Sequence, residues 1–163
     1  MQVEQRQTVQ LLQSLLKIPD ICITCPHCCP PPDFRSIDFV TNPVLPSGGA
    51  TSGGPSGGNP FQQIQINAGP ASHPDDTIEH VITHELGQVI GLRHSDDCNR
   101  AISCGGSSGN EGPAGMDANH IPGMPTTATT GGSLMNSCFS AGTTGEFTSS
   151  DITALTTRGG LRE

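Results

Sequence analysis

The sequence predicts a single α+β domain in which a small mixed sheet precedes two main helices. Two short segments, 36–40 and 63–67, alternate between apolar and polar residues, as half-buried strands do. Two later segments, about 77–90 and 148–157, each begin with a capping-box pattern that is typical of a helix N-terminus. The 163 residues include 21 Gly and 14 Pro, which predicts many turns around these few regular elements.

The chain divides into two regions of different composition. Residues 1–35 form an N-terminal region, in which 4–17 has the apolar stripe of an amphipathic helix and a Cys/Pro-rich segment follows. This region is a candidate remnant of a pro-region. Residues 36–163 form the main domain, in which the Gly/Ser-rich segment 46–60 is predicted to be a mobile loop and 95–147 to be loop-rich.

Composition excludes several classes of partner. The net charge of −8 argues against binding to nucleic acid, which requires a basic face. No apolar run approaches the roughly 20 residues of a membrane-spanning helix, so no membrane contact is expected. Aromatic residues make up 3% of the chain, without Trp or Tyr, so the core must be small and aliphatic. We expect a monomer.

The seven cysteines fall into two groups. Four are crowded at positions 22, 25, 28 and 29, as in a metal knuckle or a tight disulfide knot, and one of them could instead block a metal site. Cys98, Cys104 and Cys138 lie in the main domain, where spacing alone leaves more than one pairing open, including Cys98 with Cys104. Disulfides indicate a secreted or extracytoplasmic protein, although no signal peptide is present in this chain. We therefore expect either that the chain is a fragment of a longer precursor or that its start is misassigned.

The segment 83–94 carries the most specific chemical signal, Thr-His-Glu-Leu-Gly-Gln-Val-Ile-Gly-Leu-Arg-His. On a helix, His84 and Gln88 share one face, so both side chains can reach one ion. Glu85 projects beside them, where a carboxylate can take a proton from water. Gly91 allows the helix to end with positive φ, and the reversed chain can return His94 as a third ligand. Three ligands leave one zinc position open for water, whose pKa zinc lowers from about 15.7 to about 7.

Gln88 departs from the pattern H-E-x-x-H-x-x-G-x-x-H, which has a histidine at that position. An amide oxygen is neutral and harder than an imidazole nitrogen, so we expect one zinc ion that is weakly bound. His80, one turn before His84, is the alternative ligand. A site on these two residues would move the ion by about 5.4 Å along the helix, out of reach of His94. We therefore expect His80 to be partly exposed or to lie beside the ligands.

These motifs resemble those of the dual-action HEIGH metallopeptidases, a bacterial branch of the metzincin zinc endopeptidases. The resemblance covers about residues 61–157. It rests on the run 77–96, on Ile102-Ser-Cys104 followed by two glycines, on His120-Ile-Pro-Gly123 and on Ser133-Leu-Met-Asn136.

The resemblance implies a metzincin-like fold with an active-site helix, a loop-rich lower half and a closing helix. It implies zinc ligands at His84, Gln88 and His94, with Glu85 as the general base. It places Met135 in the turn beneath the metal, pairs Cys104 with Cys138, and makes 63–67 the edge strand above the cleft.

The leading functional hypothesis is zinc-dependent cleavage of internal peptide bonds in peptide or protein substrates. The alternative is a catalytically inactive, protease-like protein that keeps the cleft for binding peptides. A third class, a structural or metal-storage protein built on a cysteine knuckle, rests only on residues 22–29.

Overall fold

The computed structural model describes residues 37–46, 50–57, 59–67, 74–107, 109, 119–140 and 142–160. The predicted helix over 4–17, the cysteine cluster at 22–29 and the boundary at residue 35 all lie outside these ranges. The described part is a small α+β domain, as the sequence predicts, with a three-stranded mixed sheet and three helices.

The sheet consists of β1 (Asp38–Thr41), β2 (Ala50–Ser52) and β3 (Gln63–Ile66), in the order β1-β3-β2. Strand β3 pairs in parallel with β1 and antiparallel with β2. The prediction of strands near 36–40 and 63–67 is therefore confirmed. The prediction that 63–67 is an edge strand is wrong, because β3 is central and Ile64 is 0% exposed.

Strand β2 lies inside the segment that was predicted to be a loop. Its three residues, Ala-Thr-Ser, have no apolar alternation and stand next to glycines, so the local sequence carries no strand signal. Pairing with β3 makes this segment a strand, with Thr51 opposite Gln65 in the ladder. The outer edge of β2 pairs with no other strand of the described residues.

Helix α1 (Asp75–Val89) carries the His-Glu motif. It begins two residues earlier than predicted, after Pro74, and no side chain caps its N-terminus. The capping box expected at Asp76 is therefore wrong. Proline is tolerated at this boundary because the first N–H groups of a helix have no partner within the helix, so little is lost when proline lacks one. Acidic side chains in the first turn interact favourably with the positive end of the helix dipole. The helix ends where Gly91 takes a φ of 93°.

The described residues after α1 are mostly irregular, as predicted. They include the short helix α2 (Ala101–Cys104) and the final helix α3 (Ser149–Gly160). The predicted capping box at the start of α3 is confirmed: the Asp151 backbone N–H donates to Thr148 Oγ1, and the Thr148 backbone N–H donates to Asp151 Oδ2. The helix extends three residues beyond the predicted end at 157.

The core is small and aliphatic, as the composition requires. It lies between the sheet, the inner faces of α1 and α3, and the turn at Met135. Its buried members are Ile37, Ile64, Leu86, Val89, Leu92, Met135, Ala154 and Leu155. No helix within the described ranges is both long and apolar enough to cross a membrane.

Candidate metal centre

Three side chains from the motif converge on one point. His84 and Gln88 lie one turn apart on α1, and the reversal at Gly91 returns His94 towards them. The Nε2 atoms of His84 and His94 are 3.0 Å apart. The amide Nε2 of Gln88 is 2.9 Å from the first and 3.0 Å from the second. The three nitrogen atoms thus form a nearly equilateral triangle.

The triangle has the size of one face of a zinc site. With bonds of about 2.0–2.1 Å, neighbouring nitrogen ligands of a tetrahedral zinc ion lie about 3.3 Å apart. The imidazoles of His84 and His94 therefore fit zinc in spacing and in chemistry. Gln88 fits only by its amide oxygen, which has lone pairs that the amide nitrogen lacks, and this oxygen needs a half-turn of the amide to face the histidines. Among the described residues, no three His, Cys, Asp or Glu side chains form a metal-binding group.

A backbone carbonyl sets the orientation of the first histidine. His84 Nδ1 lies 2.8 Å from the carbonyl oxygen of Leu134. Because a carbonyl oxygen only accepts hydrogen bonds, Nδ1 carries the hydrogen and Nε2 presents its lone pair to the triangle. This is the arrangement that typically orients a metal-binding histidine.

Glu85 is buried beside the triangle and is 6% exposed. Burial raises the pKa of its carboxyl, and the opposing effects of the Ser52 hydroxyl and the His94 charge are smaller. Its Oε2 atom is buried and has no hydrogen-bond partner among the described residues. A carboxyl with a raised pKa and an unused acceptor atom suits a general base near neutral pH.

Met135 packs directly against the helix α1. A Cβ atom on Gly87 would lie 2.5 Å from the Met135 sulfur, closer than side chains approach. Because Gly87 has no side chain, the turn that contains Met135 can pack against the backbone of α1 about one helical turn after His84. Both residues are buried.

A buried carboxylate holds that turn against α3. Asp151, 2% exposed, accepts hydrogen bonds from Ser133 Oγ at 2.6 Å and from the Leu134 backbone N–H at 3.0 Å. It also accepts from the backbone N–H and the hydroxyl of Thr148, both at 2.8 Å. Leu134 in turn accepts from His84, so this network fixes the carbonyl that orients the histidine.

A second buried carboxylate joins the segment after His94 to the same turn. Asp96 accepts from Ser103 Oγ at 2.5 Å, and from the backbone N–H and the hydroxyl of Ser137, both at 2.8 Å. Burial opposes its ionisation, but these hydrogen bonds outweigh it, so the pKa of Asp96 lies below its ordinary value. The Ser95 N–H also donates to the Met135 carbonyl oxygen at 2.8 Å, so a backbone hydrogen bond joins the segment after His94 directly to the methionine turn.

His80 does not join the triangle. Its ring centroid lies 6.3 Å from that of His84 and 5.2 Å from that of Phe139, and its Nδ1 lies 3.3 Å from the Thr144 carbonyl oxygen. Of the two alternatives expected for His80, partial exposure is wrong, because His80 is only 5% exposed, and a position beside His84 is the one the structure has. Burial lowers its pKa, so the ring is mainly neutral at pH 7.

The disulfide implied by the resemblance is present. Cys104 and Cys138 are bonded, with their Cα atoms 5.0 Å apart, and Cys98 is a free, exposed thiol. The alternative pairing of Cys98 with Cys104 is therefore wrong. The bond ties the end of α2 to the segment that follows the methionine turn.

Sequence reasoning missed three contributors to the site: Ser52, Gly87 and Asp151. Gly87 had a usable signal, because a glycine inside a helical pattern often marks a close packing contact. Asp151 was seen only as part of a capping box. Ser52 had no signal, since its role depends on the pairing of β2 with β3, which brings its hydroxyl 3.4 Å from Gln88 Oε1.

A helix that carries a His-Glu pair, followed by a returning histidine above a methionine turn, defines a site of the metallopeptidase type. The family model described as dual-action HEIGH metallo-peptidase matches residues 16–158, so the chain belongs to that family. Searches of curated proteins and of solved structures give no match. Family membership implies a zinc cofactor and peptide or protein substrates.

Proposed function

We propose that the protein is a zinc metalloendopeptidase whose centre is the triangle of His84, Gln88 and His94. The convergence of these three motif positions within 3.0 Å, beside a buried glutamate, is the observation that carries the proposal. Membership in a metallopeptidase family supports the reaction class.

His84 and His94 would hold the ion through their Nε2 atoms, and Gln88 would add its Oε1 atom as a weaker third ligand. When bound, zinc supplies a Lewis acid that acidifies water and polarises a carbonyl group. The Leu134 carbonyl keeps His84 in the tautomer that this role requires.

Glu85 would act as the general base. Its unpartnered Oε2 can accept the proton of the attacking water and then pass it to the departing amine nitrogen. Burial supports this role because a raised pKa brings the carboxyl closer to neutral pH, where both steps are efficient.

The substrate would lie along the outer edge of β2. This strand stands at the margin of the sheet, and its Ser52 hydroxyl lies 3.4 Å from Gln88 Oε1, so the strand borders the proposed centre. An extended peptide can add to a sheet edge through backbone hydrogen bonds. We further propose that the protein acts as a monomer outside the cytoplasm, where the Cys104–Cys138 bond is maintained.

Glu85→Gln tests the proposal with little change in shape. Zinc content and cleavage of a casein-derived peptide mixture should be measured for the parent and the variant. The parent should bind about one zinc ion and cleave. The variant should lose cleavage while its zinc affinity stays within about a few-fold, because Glu85 acts on water rather than on the ion. Full cleavage by the variant contradicts the mechanism.

The same substitution should stabilise the fold at neutral pH. Because the folded-state pKa of Glu85 is raised, the folded protein binds more protons than the unfolded chain above the ordinary Glu pKa of about 4.3. The free energy of unfolding therefore falls as the pH rises from there through the raised pKa, and the uncharged amide of the variant avoids that loss. Thermal melts of the metal-free proteins should show a higher Tm for the variant at pH 7 and equal values below about pH 4.

A second candidate is a non-catalytic protein that binds peptides in the same cleft. Gln88 favours it, because a neutral amide stands where the motif has a zinc-binding imidazole. A parent protein that binds peptides along β2 but holds no zinc and cleaves none would support this candidate over the first.

A further inference from the structure

We propose that the amide of Gln88 competes with a metal ion for the two histidines, so that zinc uptake requires the amide to turn over. The inference rests on the proposed function for the location of the centre, but it concerns Gln88 itself and can be tested without substrate. Competition of this kind lowers the zinc affinity of the site, so a higher concentration of free zinc is needed to fill it.

The hydrogen-bond geometry supports competition. His84 donates through Nδ1 to Leu134, so its Nε2 is an acceptor, and the Nε2 of His94 lies only 3.0 Å away. In the His94 tautomer that can bind a metal through Nε2, the ring hydrogen is on Nδ1, so the two Nε2 lone pairs face each other at that distance and repel. The amide Nε2 of Gln88, at 2.9 and 3.0 Å from these atoms, carries two hydrogens and can donate to both. The amide can therefore hold the two rings together as a cation would.

The same geometry opposes metal binding. A cation needs the amide oxygen, but Gln88 Oε1 faces Ser52, whose single hydroxyl hydrogen is shared between this oxygen at 3.4 Å and the Glu85 carbonyl oxygen at 3.3 Å. A half-turn of the amide brings the oxygen to the histidines and removes both hydrogen bonds to the rings. The Ser52 hydroxyl can accept from the amide nitrogen after this turn, since a hydroxyl both donates and accepts. The Ser52 hydroxyl can therefore form a hydrogen bond with the Gln88 amide in either orientation. The interactions with the two histidines determine which orientation of the amide is favoured.

Three variants separate this account from a simple loss of a ligand. Gln88→Met keeps the length of the side chain but has no N–H group. Gln88→His restores the imidazole of the motif. Gln62→Met is the matched control, because Gln62 is an exposed glutamine outside the triangle. All are made in the full chain.

In a chelator, Gln88→Met should lower the Tm by about 3–8 °C, because two hydrogen bonds that close the site are lost. Gln62→Met should leave it unchanged. Gln88→His should also lower the Tm in the chelator, yet bind zinc at least about tenfold more tightly than the parent and regain its stability on zinc addition. A Gln88→Met variant as stable as the control would overturn the proposal. So would a parent that binds zinc as tightly as Gln88→His.

A measurement on the unmutated protein covers the case in which Gln88→Met does not fold. In a chelator, the side-chain amide hydrogens of Gln88 should exchange with solvent at least about tenfold more slowly than those of Gln62, and zinc should change the Gln88 amide ¹⁵N shift. Equal exchange rates for the two glutamines would overturn the proposal. A protein that passes these tests but cleaves no peptide would refute the proposed function and leave the competition intact.

Discussion

The two halves of the described domain are stabilised by different kinds of hydrogen bond. The upper half, residues 38–89, consists of strands and one long helix whose backbone groups pair with each other in regular ladders. The lower half, residues 92–160, has the four-residue helix α2 and the final helix α3 among its described residues, and its segments are joined by side chains that bond to backbone groups. The upper half provides two of the three converging groups, and the lower half fixes their geometry.

This difference has a consequence for stability. In the upper half, the loss of one side chain leaves the backbone ladders in place. In the lower half, one carboxylate can be the acceptor for several donors, so its loss leaves all of them unsatisfied at once. Single substitutions in the lower half should therefore be more costly than substitutions of similar size on exposed helix surfaces.

The largest effect is expected from Asp151→Ala. Four donors lose their shared acceptor in a buried setting, which should reduce the free energy of unfolding by about 3–5 kcal/mol. Urea denaturation measures this loss. Ile152→Ala on the same helix is the control, since Ile152 is 43% exposed and should cost less than about 1 kcal/mol. Equal losses for the two variants would mean that the carboxylate does not hold the lower half.

The disulfide should rank next. The bond between Cys104 and Cys138 spans 34 positions, and closing a loop of this length stabilises a fold by about 3–4 kcal/mol. The double substitution to serine should lower the Tm by about 10 °C, by a calorimetric scan in zinc-free buffer. Cys98→Ser should leave the Tm unchanged, since that thiol is free. Non-reducing peptide maps that link Cys98 to Cys104 would contradict the pairing.

Gly87→Ala tests the contact between the halves. Alanine improves helix propensity by about 1 kcal/mol, whereas overpacking against the Met135 sulfur costs about 1–3 kcal/mol, so a net loss of up to about 2 kcal/mol is expected. In a Met135→Ala background the contact is absent, and Gly87→Ala should become stabilising. A double-mutant cycle measures this reversal. If Gly87→Ala lowers the free energy of unfolding equally in both backgrounds, the Met135 sulfur is not what disfavours a side chain at position 87.

Asp96 should give the smallest effect and the clearest dependence on pH. Because its folded-state pKa is depressed, its contribution is complete above the ordinary Asp pKa of about 3.9 and is lost as the pH falls through the folded value. Asp96→Asn should cost on the order of 1 kcal/mol at pH 7, since an amide oxygen can still accept some of the hydrogen bonds. The difference between parent and variant should shrink in urea melts at about pH 3. If the difference in unfolding free energy between parent and variant does not change with pH, the charge of Asp96 is not its cause.

The upper half was largely predictable because its signals are local. Alternation in 63–67 and the spacing of His84, Glu85 and Gln88 depend on neighbouring residues alone, and both elements are present. The errors arose where tertiary contacts decide. Strand β2 has no signal of its own, and its pairing is what makes β3 central rather than an edge.

The lower half was predictable only in outline. Its irregularity and the convergence of His94 followed from the motif, but the acceptors that fix the geometry did not. Asp96 and Asp151 bond to residues far along the chain, such as Ser137 and Ser133, and no periodicity links these positions. The burial of His80 was missed for the same reason, since Phe139 and Thr144 come from a distant segment.

Location of the metal in a crystal is the most direct test of the central claim. Crystals soaked in a zinc salt should give an anomalous difference peak about 2.0–2.1 Å from the Nε2 atoms of His84 and His94, with Gln88 turned so that Oε1 faces the ion. An alanine variant at His94 should lose this peak. A peak elsewhere, or none at these histidines at millimolar zinc, would contradict a metallopeptidase centre at this site.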